Sequence, residues 1–372
     1  MKKMLYITTY EVKKEATGIE YKIYKQIQLF RSCGYDVKLF NHFADERLVI
    51  KMLHLLPFLD VRYNYDEIAK EKNVSAVYIR YFFCDAKLIK TLKVLRKNNP
   101  GIKIIVEIPT YPYDGEKKFA VKLFKDYAHR KEMKGLVDRI VTFSDDKQIF
   151  GIPTLVISNA VDMQKITINQ FTDPGDGRIH LASVAQFGFW HGYDRMIEGL
   201  HQYYEKGGKQ KFCFHIVGYA QSAKVQNEYE HLVEKYHLKD DVIFHGKQFG
   251  EALDKIYSIC SLAVDSLGRH RSKVYYNSSL KGKEYMAKGI PIISGVNTEM
   301  DREAGYPYYF RAPADETPVD FFAVEKFYHQ VYDTRSHEQV AEEMREYCGT
   351  HFDFVHAYKP LIDFLKVCNK GD

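Results

Sequence analysis

What constrains this chain most is an order of elements. Met4 to Thr9 reads as a short apolar strand, a loop containing Thr17-Gly18 follows, Ile19 to Cys33 has helical periodicity and stops at Gly34, and Tyr35 to Phe40 is again a strand. Strand, helix and strand in so short a span open a doubly wound α/β domain. The alternation continues with a strand at Ala76 to Arg80, a helix at Asp85 to Asn98, and strands at Ile102 to Ile108, Val137 to Phe143 and Thr154 to Ile157. A run of turn formers, Thr172-Asp173-Pro174-Gly175-Asp176-Gly177, then marks a linker. Beyond it a second series begins. Strands at Ile179 to Val184, Phe212 to Val217, Val242 to His245 and Leu262 to Asp265 alternate with helices at Tyr193 to Lys206, Ala223 to Tyr236 and Gly250 to Cys260. The tail, His337 to Val367, is helical. The expectation is therefore a domain over 1–165, a second over 178–336, and a helical segment over 337–372 that packs back on the first.

Composition agrees with two soluble lobes. The chain has 372 residues, of which 45% are hydrophobic and 28% charged, which excludes wholesale disorder and a membrane bundle. No apolar run approaches about 20 residues; the nearest, Met52 to Leu59, is broken by His54 and Pro57. Met1-Lys2-Lys3-Met4-Leu5-Tyr6-Ile7 enters a strand at once and has no signal-peptide pattern, so a cytoplasmic location is expected. The six cysteines include no C-x-x-C pair, so the spacing supports neither a zinc nor a redox site and the thiols are expected to be reduced. The net charge of +5 divides into +10 over residues 1–165 and −5 over the remainder, as if the two lobes met different partners. No recognised nucleic-acid module accompanies the basic half, and a nucleic-acid partner is not expected.

One stretch carries chemistry. Ser278 and Ser279 stand where a helix begins, Leu280 and Lys281 open it, Glu284 lies one turn along, Gly289 closes it, and Pro291 precedes the apolar run Ile292-Ile293. Free backbone N–H groups at a helix N-terminus attract phosphate. Ser278, Ser279 and Lys281 add donors at that end, and Glu284 could accept from a sugar diol. The same pattern also describes an ordinary capped helix feeding a buried strand.

The ordered set of segments around this stretch resembles family 4 glycosyltransferases. Ser183-Val184-Ala185-Gln186-Phe187-Gly188-Phe189-Trp190-His191-Gly192 resembles their donor-domain opening. His215-Ile216-Val217-Gly218 and Val242-Ile243-Phe244-His245-Gly246 resemble the next two strands with their glycine turns, and Ser279 to Ile293 resembles their glutamate-containing helix. Asn159-Ala160-Val161-Asp162 resembles the segment that ends their first lobe. The resemblance implies a GT-B fold, two Rossmann-like lobes with an interlobe cleft. A nucleotide-diphosphate-sugar is expected on the C-terminal lobe, with retention of anomeric configuration and neither a cofactor nor an obligatory metal. The absence of an Asp-x-Asp triplet agrees with metal independence.

The chain also departs from the family. A glutamate common eight positions before Glu284 is Tyr276 here, and the basic pair of the donor loop falls at Gln186 and His191. A departing diphosphate needs counter-charge. Arg271, Lys281 and His191 are the residues expected to supply it, with Gln186, Gly218, Ser278, Ser279, Leu280 and Glu284 holding the donor. In the first lobe, where the family has a histidine, the chain offers Glu107, Tyr111 and Asp114, which with Gly18 are the candidate contacts to a glycan or lipid-linked acceptor. Residues 117–131 alternate lysines with apolar and aromatic residues at helical spacing, a pattern that suits an anionic membrane surface and equally a packed, solvated helix. The expected function is sugar transfer in surface-polysaccharide synthesis. A nucleotide-sugar epimerase and a non-catalytic nucleotide-sugar binder are the alternatives. Dehydrogenase, P-loop and serine-hydrolase patterns are absent.

Overall fold

A parallel strand covered on both faces reads as an almost unbroken apolar run, and such runs set the topology of this chain. The computed structural model describes residues 1–12, 18–54, 56, 59–114, 120–303 and 305–366, without the side chains of 120–124. It divides into two units, residues 1–158 with 357–372 and residues 159–356.

Unit 1 contains β1 (Lys2–Ile7), α1 (Ile19–Ser32), β2 (Tyr35–Phe40), α2 (Leu48–Leu53), α3 (Asp66–Ala69), β3 (Val74–Arg80), α4 (Ala86–Asn98), β4 (Lys103–Ile108), α5 (Ala120–His129), β5 (Arg139–Thr142), β6 (Gln148–Ile149) and β7 (Ile152–Val156). Its sheet has the order β2-β1-β3-β4-β5-β7-β6, parallel throughout except for the short β6. Local chemistry explains the elements. Asp85 caps α4 by accepting from the Leu88 amide, and Leu88, Leu92 and Leu95 then form the stripe that α4 buries.

Unit 2 contains β8 (Arg178–Phe187), α6 (Tyr193–Glu205), β9 (Lys211–Ala220), α7 (Ala223–Lys235), β10 (Val242–Gly246), α8 (Gly250–Ser258), β11 (Leu262–Val264), α9 (Leu280–Lys288), β12 (Ile292–Ser294), β13 (Tyr309–Arg311), α10 (Phe321–Tyr332) and α11 (His337–His351), with α12 (Phe354–Ala357) ending it. Its six strands run in the order β10-β9-β8-β11-β12-β13, all parallel. The core is lined by Leu181, Phe214, Ile216, Val264 and Ile293, among others.

Two domain limits differ from the sequence reading. The turn at 172–177 lies within unit 2, because Asn169 and Thr172 donate their amides to the carbonyls of Lys288 (2.8 Å) and Ser258 (2.7 Å). The tail is also split. Helix α11 stays in unit 2, where it buries Val340, Ala341, Met344 and Cys348. Its Arg345 donates to the carbonyls of Ala287 (2.6 Å), Met163 and Ile166 (2.7 Å each). Only α13 (Lys359–Lys366) and the residues just before it join unit 1. Tyr358 bonds Gln26 at 2.7 Å, and the Lys103 ammonium meets the carbonyls of Phe364 and Leu365.

Helix α6 meets the strand of chain leading into α10 at Gly199, where an added Cβ would stand 2.1 Å from the Val319 carbonyl oxygen. Backbone cannot yield as a flexible side chain does. Gly199→Ala is expected to destabilise unit 2 by about 1–3 kcal/mol through overpacking, read as a lower midpoint in urea denaturation.

Candidate functional site

The parallel strands of unit 2 deliver their C-terminal ends, and the loops that follow, to one edge of the sheet. Backbone approaches backbone closely there. Gly218 near the end of β9 has φ 123° and lies against Ala185 of β8, so that a Cβ would fall 1.8 Å from the Ala185 carbonyl oxygen. Gly192 (φ 65°) closes the short turn Phe189–His191, and a Cβ on it would stand 2.7 Å from the Gly268 nitrogen. A side chain at Gly218 would push β9 off β8, and one at Gly192 would force the loops after β8 and β11 apart.

The organising helix α9 begins as its sequence suggests. Ser279 is the N-cap and accepts from the Gly282 amide at 3.2 Å. Ser278 is wholly buried: its hydroxyl accepts from the Asn159 amide at 2.8 Å, and its carbonyl receives the Asn159 side-chain amide. Ser278 thus ties residue 159 to the helix, a structural role rather than the ligand-facing one expected of it. At the first turn the amides of Leu280 and Lys281 have no helical partner, which leaves two donors and the positive end of the helix for an anion.

Three titratable groups stand beside that end. The Lys281 ammonium is 3.6 Å from Asp265 Oδ1, just after β11, and neither atom has a hydrogen-bond partner among the described residues. Burial pushes Lys281 down to about 8, opposed by Asp265 and helped by Arg269. His191 is buried, and its Nδ1 accepts from the Gly188 amide at 2.9 Å. Burial, with the nearby charges of Lys281 and Arg269, holds it well below the usual imidazole range, so it is a neutral Nε2–H donor. Glu284 is half-buried and no hydrogen bond or ion pair holds its carboxyl among the described residues. Burial raises it to about 7, against the opposite pull of Lys281 and Lys288. Gln186, exposed at the end of β8, completes the edge.

Arg271 departs from its expected role. It bonds both Asp194 oxygens (3.0 and 2.6 Å), both Glu316 oxygens (2.6 to 3.1 Å) and the Phe189 carbonyl (2.9 Å), so all three guanidinium nitrogens are already used. Its work is to fasten the loop after β8 to the loop after β11. Tyr276, at the position of the family's earlier glutamate, bridges to Asn297 and lies under Arg302 at 4.5 Å. Sequence reading missed Asp265. Asp265 is a strand-terminal carboxylate, a position with no motif of its own; only its distance to Lys281 reveals it.

In unit 1 the candidate acceptor residues separate. Glu107 is 0% exposed and bonded to Gln26 (2.6 Å), Tyr78 and Arg80, with Lys22 at 4.0 Å. It is the centre of a buried polar cluster, which corrects its assignment to sugar hydroxyls. Asp114 pairs with Arg130 at 2.9 Å, and Tyr111 packs edge-on against Tyr113 and Phe150. Gly18 precedes α1 with φ 64°, and beyond its chain neighbours no described residue lies within 4 Å of where a Cβ would stand. Residues 117–119 of the basic amphipathic stretch, and the side chains of 120–124, lie outside the described residues. Within the remainder Lys125 bonds Asp60 (2.9 Å) and Arg130 bonds Asp114, so these two cations are turned into the protein and not toward a membrane. Among the described residues no helix is long and apolar enough to cross a bilayer.

Residues 164–304 match the family model "Glycosyl transferases group 1". That segment lies within unit 2 and is similar to the group 1 glycosyltransferases. The fold of the chain is GT-B, shared over nearly the full length of solved structures at low identity. A glycosyltransferase from Rickettsia africae ESF-5 is 13% identical, with TM-score 0.64 and coverage of 100% of this chain and 99% of that one. A sucrose-phosphate synthase from Thermosynechococcus elongatus is 13% identical, with TM-score 0.65 and full coverage of both. Anabaena Alr3699/HepE, solved in complex with UDP-glucose, is 15% identical, with TM-score 0.62 and coverage of 98% and 99%. No curated protein matches the chain by sequence. The matched segment holds Ser278, Ser279, Lys281, Glu284 and Asp265.

A carboxyl whose pKa is higher folded than unfolded costs stability as pH rises toward the folded value, since its charge is worse tolerated inside than in the open chain. Glu284→Gln is therefore expected to raise the melting temperature of the ligand-free protein, by more at pH 8 than at pH 5. Paired thermal melts at those two pH values check this.

Proposed function

We propose that this protein is a glycosyltransferase that moves a hexose from a UDP-linked donor to a glycan or lipid-linked acceptor, with retention of configuration, in the assembly of a surface polysaccharide. The observation that carries the donor half is the open first turn of α9 beside a buried ammonium that no hydrogen bond holds, with Glu284 one turn further along. Uridine is chosen because HepE was solved with UDP-glucose on the same fold. Support for retention comes from the family resemblance.

Each residue has a defined task in this reading. The amides of Leu280 and Lys281 and the Lys281 ammonium bind the diphosphate, and they do more as charge grows on it while the glycosidic C–O bond breaks. His191 adds a neutral donor without repelling Lys281. Glu284, as carboxylate, accepts from the ribose diol, and Gly218 lets the end of β9 lie close against Ala185 of β8. Arg271 positions the loop that carries His191. Asp265 holds the ammonium at 3.6 Å, near enough to keep it protonated and too far to spend its hydrogen bonds.

The test is ligand-induced thermal stabilisation by UDP, GDP and TDP, followed by turnover of the matching nucleotide sugars. UDP is expected to stabilise most and a UDP-hexose to be consumed only when acceptor is present. Consumption without acceptor would indicate epimerisation or hydrolysis instead. Lys281→Met should weaken UDP binding by about 10–100-fold, the worth of a charge-assisted bond, and leave the fold intact. UDP affinity is expected to rise through pH 7 as Glu284 ionises and to fall above about 8 as Lys281 loses its proton. Calorimetric titration across pH 5.5–9.5 reads both limbs.

A further inference from the structure

Three neighbouring strands of unit 2 carry a side-chain cluster that the donor site does not use. Residues paired across a ladder, like residues two apart along a strand, project to the same face. His180 of β8 pairs with Cys213 of β9, and His215 follows two residues later, so all three share a face. His180 Nδ1 lies 2.8 Å from His215 Nε2, and His215 Nδ1 lies 2.8 Å from His245 Nε2 on β10. The remote nitrogen of His180 is 3.2 Å from both oxygens of Asp176. The nitrogen and sulfur atoms of His180, Cys213 and His215 all lie within 4.8 Å of one another, and the three residues are buried.

We propose that His180 Nδ1, Cys213 Sγ and His215 Nε2 bind a divalent transition-metal ion of the zinc type, with water as fourth ligand. Two imidazoles joined N–H to N share one proton at the meeting point, so a single tautomer shift of His215 turns both facing nitrogens into lone-pair donors. Tetrahedral ligands at about 2.0–2.3 Å from such an ion stand about 3.3–3.7 Å apart, a spacing bracketed by the 2.8 Å and 4.8 Å seen here. Small side-chain shifts complete the site. The outer partners are in place as well: Asp176 takes the remote N–H of His180 and fixes its tautomer, the arrangement that orients metal-bound histidines.

Protons balance without redox chemistry. The ion replaces the Cys213 S–H proton, which leaves to solvent. The His215 proton passes from Nε2 to Nδ1 and is donated to His245 Nε2, whose own proton shifts to its Nδ1. The neighbouring cation, Arg178, is held by Asp241 at 3.2 Å and the Asp240 carbonyl at 2.6 Å, and it also reaches Cys213, where burial disfavours the thiolate and the Arg178 charge favours it. A second group, His54 with Asp60 and Asp85, is less suited, because the Lys125 ammonium already occupies Asp60 at 2.9 Å. The site sits in the first half of β8, away from the strand ends that face the donor, so its effect is to clamp strands and not to take part in sugar transfer.

The test is titration of the full-length, tag-free protein with Co2+, with Zn2+ as competitor. One equivalent of Co2+ is expected to give tetrahedral d–d bands and a thiolate-to-cobalt charge-transfer band, both removed by Zn2+. Cys213→Ser should lose the charge-transfer band. Asp176→Asn, on an exposed turn, should keep the bands and weaken affinity by about 10–100-fold. A folded wild-type protein without these bands, or a charge-transfer band retained in Cys213→Ser, would overturn the proposal. If Cys213→Ser does not fold, Asp176→Asn decides alone: unchanged affinity for Co2+ rejects the site.

Discussion

Burial of parallel strands on both faces is the constraint from which the rest follows. A strand such as Lys103-Ile104-Ile105-Val106-Glu107-Ile108 gives nearly every side chain to the core, and Glu107 is admitted only because Gln26, Tyr78 and Arg80 meet its oxygens. Little exposed side-chain surface is left along the sheet itself. Ligand chemistry is therefore confined to strand ends and the turns beyond them, where unit 2 gathers Gln186, His191, Asp265, Lys281 and Glu284.

Counter-charge at that edge is arranged economically. Three positive groups would repel one another if all were free, and only Lys281 is left without a hydrogen bond. Arg271 is neutralised by Asp194 and Glu316, and His191 stays uncharged. A buried ammonium without a bonded partner is costly in the empty protein. Such a cost is what binding an anion would relieve, in keeping with the ligand role proposed for Lys281.

The sequence revealed the alternation of elements well because apolar runs and glycine stops are local signals. Tyr35–Phe40 appears as a strand at its expected limits, and α9 begins at Leu280 behind Ser279. The partition of side chains between structure and ligand was much less legible. Arg271 and Ser278 have the right chemistry for a diphosphate, yet their partners, Asp194, Glu316 and Asn159, lie 77, 45 and 119 positions away. Nothing near them in the chain foretells those bonds. The same holds for Glu107, whose partners come from helix α1 and strand β3. Cys213 and His215 had no recognisable zinc spacing because their neighbour His180 comes from the adjacent strand, and a strand-pairing register is invisible to motif reading.

Arg345 has one more implication. By bonding the Ala287 carbonyl together with those of Met163 and Ile166, it pins the far end of α9, while Gly289 lets Ala341 press against the turn that follows. A helix anchored at its tail is a fixed post. Accommodation of differently sized guests must then fall to the turns between β11 and α9, so swapping those turns should retune preference while the post stays where it is.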